Sequence, residues 1–535
     1  MQALYQLSYS PGIWSAGVFP AAASPTLHGH HPLSPNPFYG RLPAARYCRP
    51  SVPVTSAPGA ASVSTLPQAA GRRTATAVRT AVTAYALRRP VLLSSLACLL
   101  SFAAFWAAQR AAQVSMIDLL VYRAEGWAVR DGQDLYAMRA THAQLPTTYP
   151  PFAALLFLPL TLLGEPALRT LATAGNLALL VALVHFALRL TGRPLRLPRP
   201  AATLLLSALA VWCEPVWTTL RYGQVNLLLA VLVLWDLSRR AGHRWAGAGI
   251  GIAAGIKLTP ALFAVFLALY GTVLGARRMR YGDGARGADA PGPGIKALWN
   301  APLRQSAVAA LAFLGTVLVS AVLLPGDSRR FWTDAVFRSD RVGHTVITDN
   351  QALSGVLARL LHVQHPGAAW VLAAALVLVA GLGAAVAAAL AGHRGMPHAR
   401  AWSALACAVT ALLVSPISWS HHWVWCVPLL LLLGAEALRR GSAPWWAGTA
   451  VAGVLFCSYA LWWVPHRPGV ELPPELHQNA GQMALSAVYP LLGAGFLLLT
   501  AVVSVRALRG GTAEGPPHRG NAPSPARGAQ AVTNE

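Results

Sequence analysis

The sequence predicts an all-α, polytopic membrane protein, and three observations carry that prediction. Hydrophobic residues make up 55% of the 535 residues and charged ones 11%, and the mean hydropathy is +0.47, outside the range of soluble domains. Apolar runs of about 20 residues, enough to cross ~30 Å of hydrocarbon as a helix, recur along the chain. The arginines behind the formal charge of +24 collect in short links between those runs and in the two tails. The basic balance therefore reads as membrane topology, and nucleic-acid binding is not expected.

Taken in order, residues 1–84 are rich in Pro, Ala and Ser and hold no apolar run long enough for a signal-peptide core, so they read as a disordered cytoplasmic tail. Residues 85–506 form the membrane domain, and 507–535 read as a second disordered cytoplasmic tail. Full spans are expected near 89–108, 168–190, 201–219, 306–324, 369–392, 401–417, 423–438, 444–464 and 483–506. The shorter run 223–237 reads as a further span, and 246–274 as one tilted helix or a close-packed pair. The pieces 152–163 and 350–362 read as re-entrant or surface segments that other helices must cover. The total is about ten to thirteen spans.

Basic links at 238–244, from 276 to Arg304, at 392–400 and at 438–440 mark the cytoplasmic side. With both tails on that side the crossings must be even in number, which favours a hairpin for 246–274. The other links, 109–150, 220–224, 326–349, 415–422 and 465–482, face the opposite compartment and hold every polar cluster that looks chemical. The six cysteines show no CxxC pair and most fall in apolar runs, so neither a disulfide framework nor a metal site is expected.

Asp118 follows the first span closely and is flanked by Met116, Ile117, Leu119 and Leu120. A carboxylate in so apolar a setting is expensive unless paired or used, and desolvation lifts its proton affinity toward that of a general base. The plain alternatives are a helix cap or an ion pair with Arg123. Apolar residues at near-helical spacing (Val121, Ala124, Trp127, Ala128) predict an amphipathic helix on the bilayer, ended by a turn at Gly132. Glu125 falls on nearly the same face as Asp118 and reads as solvated surface charge, with a second working carboxylate as the alternative.

Tyr149, in "TYPP", is forced toward extended geometry by Pro150. Arg221, Gln224 and Asn226 surround the start of the 223–237 run. An arginine on the outer side suits a phosphate, whose oxygens match its planar fork, or else snorkels to the interface. Lys257 lies deep in an apolar run, where ionisable residues pair or line a polar cavity, or sit near a lipid headgroup. His421 and His422 are consecutive, so on a helix their side chains diverge by about 100° and suit a shared metal poorly. They could donate to, or protonate, a phosphate. Trp419, Trp423 and Trp425 around them read as an interfacial belt, and aromatic faces there also suit a sugar ring.

Taken together, "DLLVY" with "GQDLY", "TYPPFAALLFLPL", "GQVNLLLAVLVLWDL", "AAGIKLTPALF", "DNQALSG" and "SPISWSHHWVW" resemble the polyprenyl-phosphate-mannose-dependent α-(1→2)-mannosyltransferases of actinobacteria, glycosyltransferase family 87. The resemblance spans roughly residues 88–506. It implies a GT-C bundle whose first extracytoplasmic loop carries an aspartate as catalytic base, a position that Asp118 matches. It implies a polyprenyl-phosphate sugar donor and a glycolipid or lipoglycan acceptor. A β-linked donor giving an α-linked product means inversion at the anomeric carbon, with no cofactor or metal ion required. His421, His422, Arg221, Lys257, Gln224, Asn226, Tyr149, Asn350, Gln351 and Trp419 are then candidates for holding the donor's phosphate and sugar, on the extracytoplasmic face of the bacterial plasma membrane. A GT-C enzyme using another lipid-linked sugar, such as arabinofuranose, and a lipid or sugar transporter are the competing readings. The transporter would show an internal inverted repeat, and none is evident.

Overall fold

The computed structural model describes residues 89–192, 197–240, 242–281, 299–338, 341–465 and 473–510. The N-terminal tail expected over 1–84, and the part of the C-terminal tail beyond residue 510, lie outside the described residues. The helices are α1 (Pro90–Ala111), α2 (Ile117–Arg130), α3 (Pro151–Phe157), α4 (Glu165–Thr191), α5 (Arg199–Ala210), α6 (Glu214–Tyr222), α7 (Asn226–Leu237), α8 (Ala248–Ile256) and α9 (Ala261–Tyr281). They continue as α10 (Ala301–Leu323), α11 (Pro325–Thr333), α12 (Leu353–Leu360), α13 (Gly367–Gly392), α14 (Ala399–Val414), α15 (Cys426–Arg440), α16 (Ala443–Cys457), α17 (Ala480–Ser486) and α18 (Val488–Gly510). Among the described residues extended pairing is limited to two isolated bridges, Ala140 with Leu145 and Asn350 with Trp419.

Among the described residues seven helical stretches are long and apolar enough to cross a bilayer; α5 and α6 together make an eighth only as a bent pair, and four apolar helices are shorter. Outward stripes such as Leu92, Leu96, Leu99 and Leu100 on α1, or Leu311, Leu314, Leu318 and Val322 on α10, are exposed. Such continuous apolar faces belong against lipid tails. The protein is a multi-helix membrane protein.

Four expected spans take a different form; 401–417 and 444–464 yield α14 and α16, apolar helices of 16 and 15 residues, short of a full crossing. The run 201–219 is not one helix: it bends by 79° between α5 and α6. Pro215 lacks an amide proton and disfavours helical geometry in the residue before it, and Cys213 at the break is extended. The run 223–237 yields only the 12-residue α7, whose length of ~18 Å is short of the hydrocarbon thickness.

The 246–274 run does fold back on itself. Gly247 touches the backbone at Gln305 and Ala309, Gly251 that at Ala309 and Phe313, and Gly255 abuts Thr316, so α8 runs alongside α10 in the same direction. The Ser306 hydroxyl bonds the Ala264 carbonyl, and the Asn300 amide bonds that of Gly271, so α9 returns in the opposite direction. The tip of this hairpin is Lys257–Pro260, which places the lysine at a break inside the bundle.

The irregular segments gather at one end. Leu135 N–H donates to Asp327, Arg341 to the carbonyls of Tyr136 and Thr147, Gln351 N–H to Ser418, and the Gln351 amide to Ser486. At the opposite end Arg400 donates to the carbonyls of Leu237 and Arg239, and Tyr270 meets His393. The five described cysteines are free thiols; Cys48 lies outside the described residues.

Candidate active site

The site begins where α2 begins. Met116 caps that helix with a left-handed backbone (φ 50°), and the turn sets Asp118 in the first helical turn. Gly223, also left-handed at φ 70°, ends α6 with its α-carbon against Leu119; a β-carbon there would lie 2.7 Å from the Leu119 Cβ. Only glycine permits this approach. It carries Gln224 onto the aspartate, and the Gln224 Nε2 donates to Asp118 Oδ2 at 2.7 Å.

The other end of that amide is equally occupied. Gln224 Oε1 accepts from the Tyr122 hydroxyl at 2.7 Å and the Tyr149 hydroxyl at 3.2 Å, and the two hydroxyls are 2.9 Å apart. The Tyr149 ring in turn faces Lys257, whose Nζ is 5.4 Å from its centroid. Lys257 Nζ contacts His422 Nε2 at 2.9 Å and Asn226 Oδ1 at 3.4 Å. A lysine donating to Nε2 requires the lone pair of a neutral imidazole there, with its proton on Nδ1. Asp118, Tyr149, Gln224, Asn226, Lys257 and His422, scattered over some three hundred residues of sequence, thus form one connected polar group.

Burial pushes the Asp118 carboxyl up to about 6, against the pull of the Gln224 amide and the Lys257 charge. It is ionised for the most part at neutral pH and still basic enough to take a proton. Glu125, expected as solvated surface charge, is instead fully enclosed at 0% exposure. The helix face was read correctly, but α3 and the Thr147 strand of chain cover it. Among the described residues neither Glu125 oxygen has a hydrogen-bond partner of good geometry, although the Thr147 hydroxyl lies beside it. Burial accordingly pushes Glu125 up to about 8, opposed by Thr147 and reinforced by the negative charge of Asp118.

The histidine segment is a 3-10 turn over Ser420–Trp425 leading into α15. The rings of His421 and His422 meet edge to face, their centroids 4.9 Å apart and their planes at 88°. His421 turns toward Tyr222, edge to face at 5.3 Å, and its carbonyl accepts from Thr219 and Asn226. Its Nε2 is buried without a hydrogen-bond partner among the described residues. A cavity of about 50 Å³ lies against Lys257, His422, Asn226, Thr259, Ser418 and Trp425, room for a water or two. The belt reading fails for Trp423, which is 1% exposed and packs on Tyr489. Trp425 leans on Phe263.

The remaining candidates sit differently. Asn350 and Gln351 are fully buried and turned inward: the Asn350 side chain bonds Thr345, Ser354, Ala352 and Ser418, and that of Gln351 bonds Thr348, Ser486 and Tyr489. They fasten the 345–354 loop to the start of the histidine segment. Arg359 completes this anchor, donating to the carbonyls of Val346, Ile347, Asn350 and Ser486. Trp419 pairs with Asn350 through its backbone and lays its indole over Gly343. Arg221 is half-buried in the last turn of α6.

Glu214 escaped the sequence reading. It accepts from Thr218 at 2.6 Å, Ser420 at 2.9 Å and Tyr489 at 2.7 Å, tying α6, the histidine turn and α18 together. A lone carboxylate in "VWCEPVW", inside an apolar run, was the available signal. Among the described residues no three His, Cys, Asp or Glu side chains are grouped to hold a metal ion.

Comparison with known proteins supplies the family. The sequence profile described as Glycosyltransferase family 87 matches residues 148–416, a stretch that takes in Tyr149, Gln224, Asn226 and Lys257. A polyprenol-phosphate-mannose-dependent alpha-(1-2)-phosphatidylinositol mannoside mannosyltransferase of Mycolicibacterium smegmatis is 32% identical over 384 residues, 69% of this chain and 78% of that protein. One of the same description from Mycobacterium tuberculosis is 31% identical over 375 residues, 67% and 77% of the two chains. A polyprenol-phosphate-mannose-dependent alpha-(1-2)-phosphatidylinositol pentamannoside mannosyltransferase of Mycolicibacterium smegmatis is 35% identical over 340 residues, 61% and 72% of the two. No solved structure matches the chain. With a profile covering half its length and relatives above 30% identity over two thirds of it, the chain belongs to glycosyltransferase family 87 and is a membrane glycosyltransferase.

Proposed function

We propose that the protein transfers mannose from a polyprenyl-phosphate donor to the 2-hydroxyl of a mannose on a cell-envelope glycolipid or lipoglycan, with inversion, at the extracytoplasmic face of the bacterial plasma membrane. The observation that carries the reading is the convergence of a half-buried carboxylate, Asp118, with a cationic pair, Lys257 and His422, through Gln224 and Tyr149. The names of the relatives supply the sugar, the donor and the class of acceptor.

In this reaction the acceptor oxygen attacks the anomeric carbon while the bond from that carbon to the phosphate oxygen breaks, and the leaving phosphate takes the electron pair. Asp118 accepts the hydroxyl proton as the new bond forms. The phosphate gains negative charge in the transition state, and Lys257 and His422 are placed to stabilise it. In the free site they share one positive charge between two adjoining nitrogens. An arriving phosphate favours a second proton on the pair, which strengthens the clamp when it is needed. Asn226 orients Lys257 and holds the His421 carbonyl, while Asn350, Gln351 and Glu214 act as positioning residues for the histidine turn.

The test is direct transfer: the full-length protein in nanodiscs, polyprenyl-phosphate mannose labelled in the sugar, and a mannoside acceptor. The expected product is an α-(1→2)-linked disaccharide unit by linkage analysis. A labelled donor that crosses the bilayer without losing its sugar, or label transferred only from an arabinofuranosyl donor, contradicts the proposal.

A further inference from the structure

A second polar recess lies on the flank of the site. Helices α1 and α4 both pack on α5, and between their site-side ends they leave a cavity of about 410 Å³. Gln109, Arg110, Met116, Arg169 and Thr173 are among its walls, and no carboxylate is. Gln109 is only 4% exposed, yet among the described residues neither its amide oxygen nor its amide nitrogen has a partner. A buried amide facing a cavity with both ends unsatisfied is a group built for something that enters. Arg110 is exposed and makes no ion pair among the described residues. Arg169 is held by Glu165 one turn earlier on α4, and its Nε is unpartnered.

Two guanidinium groups and a free amide around one cavity select an anion with several oxygens, which is the chemistry of a phosphate. The surroundings favour an anion with a lipid tail: Leu99, nearly three turns from Gln109 on α1, and Leu171, next to Thr170 on α4, are both exposed, so the helices that wall the recess also offer apolar surface to acyl chains. The recess shares Met116 with the start of α2, and from Met116 to Asp118 the backbone covers at most about 7 Å. The donor's phosphate has cations of its own at Lys257 and His422, on the other side of the tyrosine pair.

We propose that this recess binds the phosphodiester headgroup of an anionic glycolipid acceptor, so that its glycan passes over Met116 and presents a hydroxyl to Asp118. The inference rests on the mannosyltransferase reading and adds to it the feature that selects a lipid-linked acceptor.

The experiment compares the wild-type protein with Arg110→Gln, an exposed position whose change does not threaten folding, and with Gln109→Leu. Both are assayed in phosphatidylcholine nanodiscs on two acceptors, a phosphatidylinositol mannoside and the uncharged octyl α-mannoside. The expected result is a KM for the phosphate-bearing acceptor raised about ten-fold in each variant, kcat held within roughly two-fold, and unchanged KM values for octyl mannoside and for the donor. Equal changes on both acceptors would mean a structural role and overturn the proposal, as would no change on either. A raised donor KM would assign the recess to the donor phosphate instead. A defect seen only after phosphatidylglycerol is added to the discs would assign it to bulk lipid. A wild-type protein that mannosylates neither acceptor fells the functional reading together with this one, which separates that failure from the others.

Discussion

Asp118 and Glu125 share one helix and nearly one face, seven residues apart, and differ in what surrounds them. Asp118 has the Gln224 amide on one oxygen and the Lys257 charge nearby, so its pKa stops near 6. Glu125 has neither, and burial beside a negative neighbour carries it to about 8. The first is a base at neutral pH and the second is a neutral acid. The difference teaches that the helix supplies only the position. The chemistry of each carboxyl is assigned by chain from elsewhere: the 223–226 turn, the hairpin tip at Lys257, and the loop before α3.

The contrast can be broken from several sides. The largest effect is expected from Asp118→Asn, which removes the base while keeping its shape: transfer should fall by about 10²–10⁴-fold with thermal stability unchanged, read by labelled-sugar transfer and a melting curve. Lys257→Met should cost on the order of 10²-fold or more in kcat. It should also move the acid limb of the pH–rate profile upward, because the cation that lowers the Asp118 pKa is gone. Gln224→Leu keeps the phosphate side intact and removes only the amide. It should shift the limb the same way and cost about ten-fold at neutral pH.

Glu125→Gln should do least to the rate, within roughly two-fold, since the side chain it replaces is already uncharged at neutral pH. Its signature lies in stability. The folded-state pKa of about 8 is above the ~4.3 of an unfolded glutamate. The stabilising proton is therefore fully present at low pH and lost as pH rises through about 8. Melting temperatures of the wild type should fall across that window, and those of the glutamine variant should fall less.

Much of this was legible in the sequence because a polar residue in an apolar run has to be paired or used. Asp118 and Lys257 announce themselves that way, Tyr149 is marked by the proline after it, Gln224 and Asn226 by their place at the start of an apolar run and His422 by its pairing with His421, and the structure joins them. The hairpin at 246–274 was legible too, since flanking basic links fix the parity of crossings. Glu125 was misread because helical periodicity gives the face a residue is on and not what covers that face. Trp423 was misread because a cluster of tryptophans at a membrane interface does not show which of them other helices cover. The break in 201–219 escaped because hydropathy over a long window averages across Cys213, Glu214 and Pro215. With it went Glu214, the anchor of the histidine turn. Asn350 and Gln351 were legible as special, but their inward bonding to backbone groups depends on a loop closure over Arg359 that sequence spacing does not encode.

The central claim is that Asp118 is the group whose ionisation turns transfer on, and the pH dependence of kcat/KM tests it most directly when the wild type and Asp118→Asn are measured side by side. The wild-type value should climb with pH and level off above about 6, and the residual activity of the variant should show no such limb. A variant that keeps near-normal activity, or that keeps the same limb at a lower rate, would contradict the account.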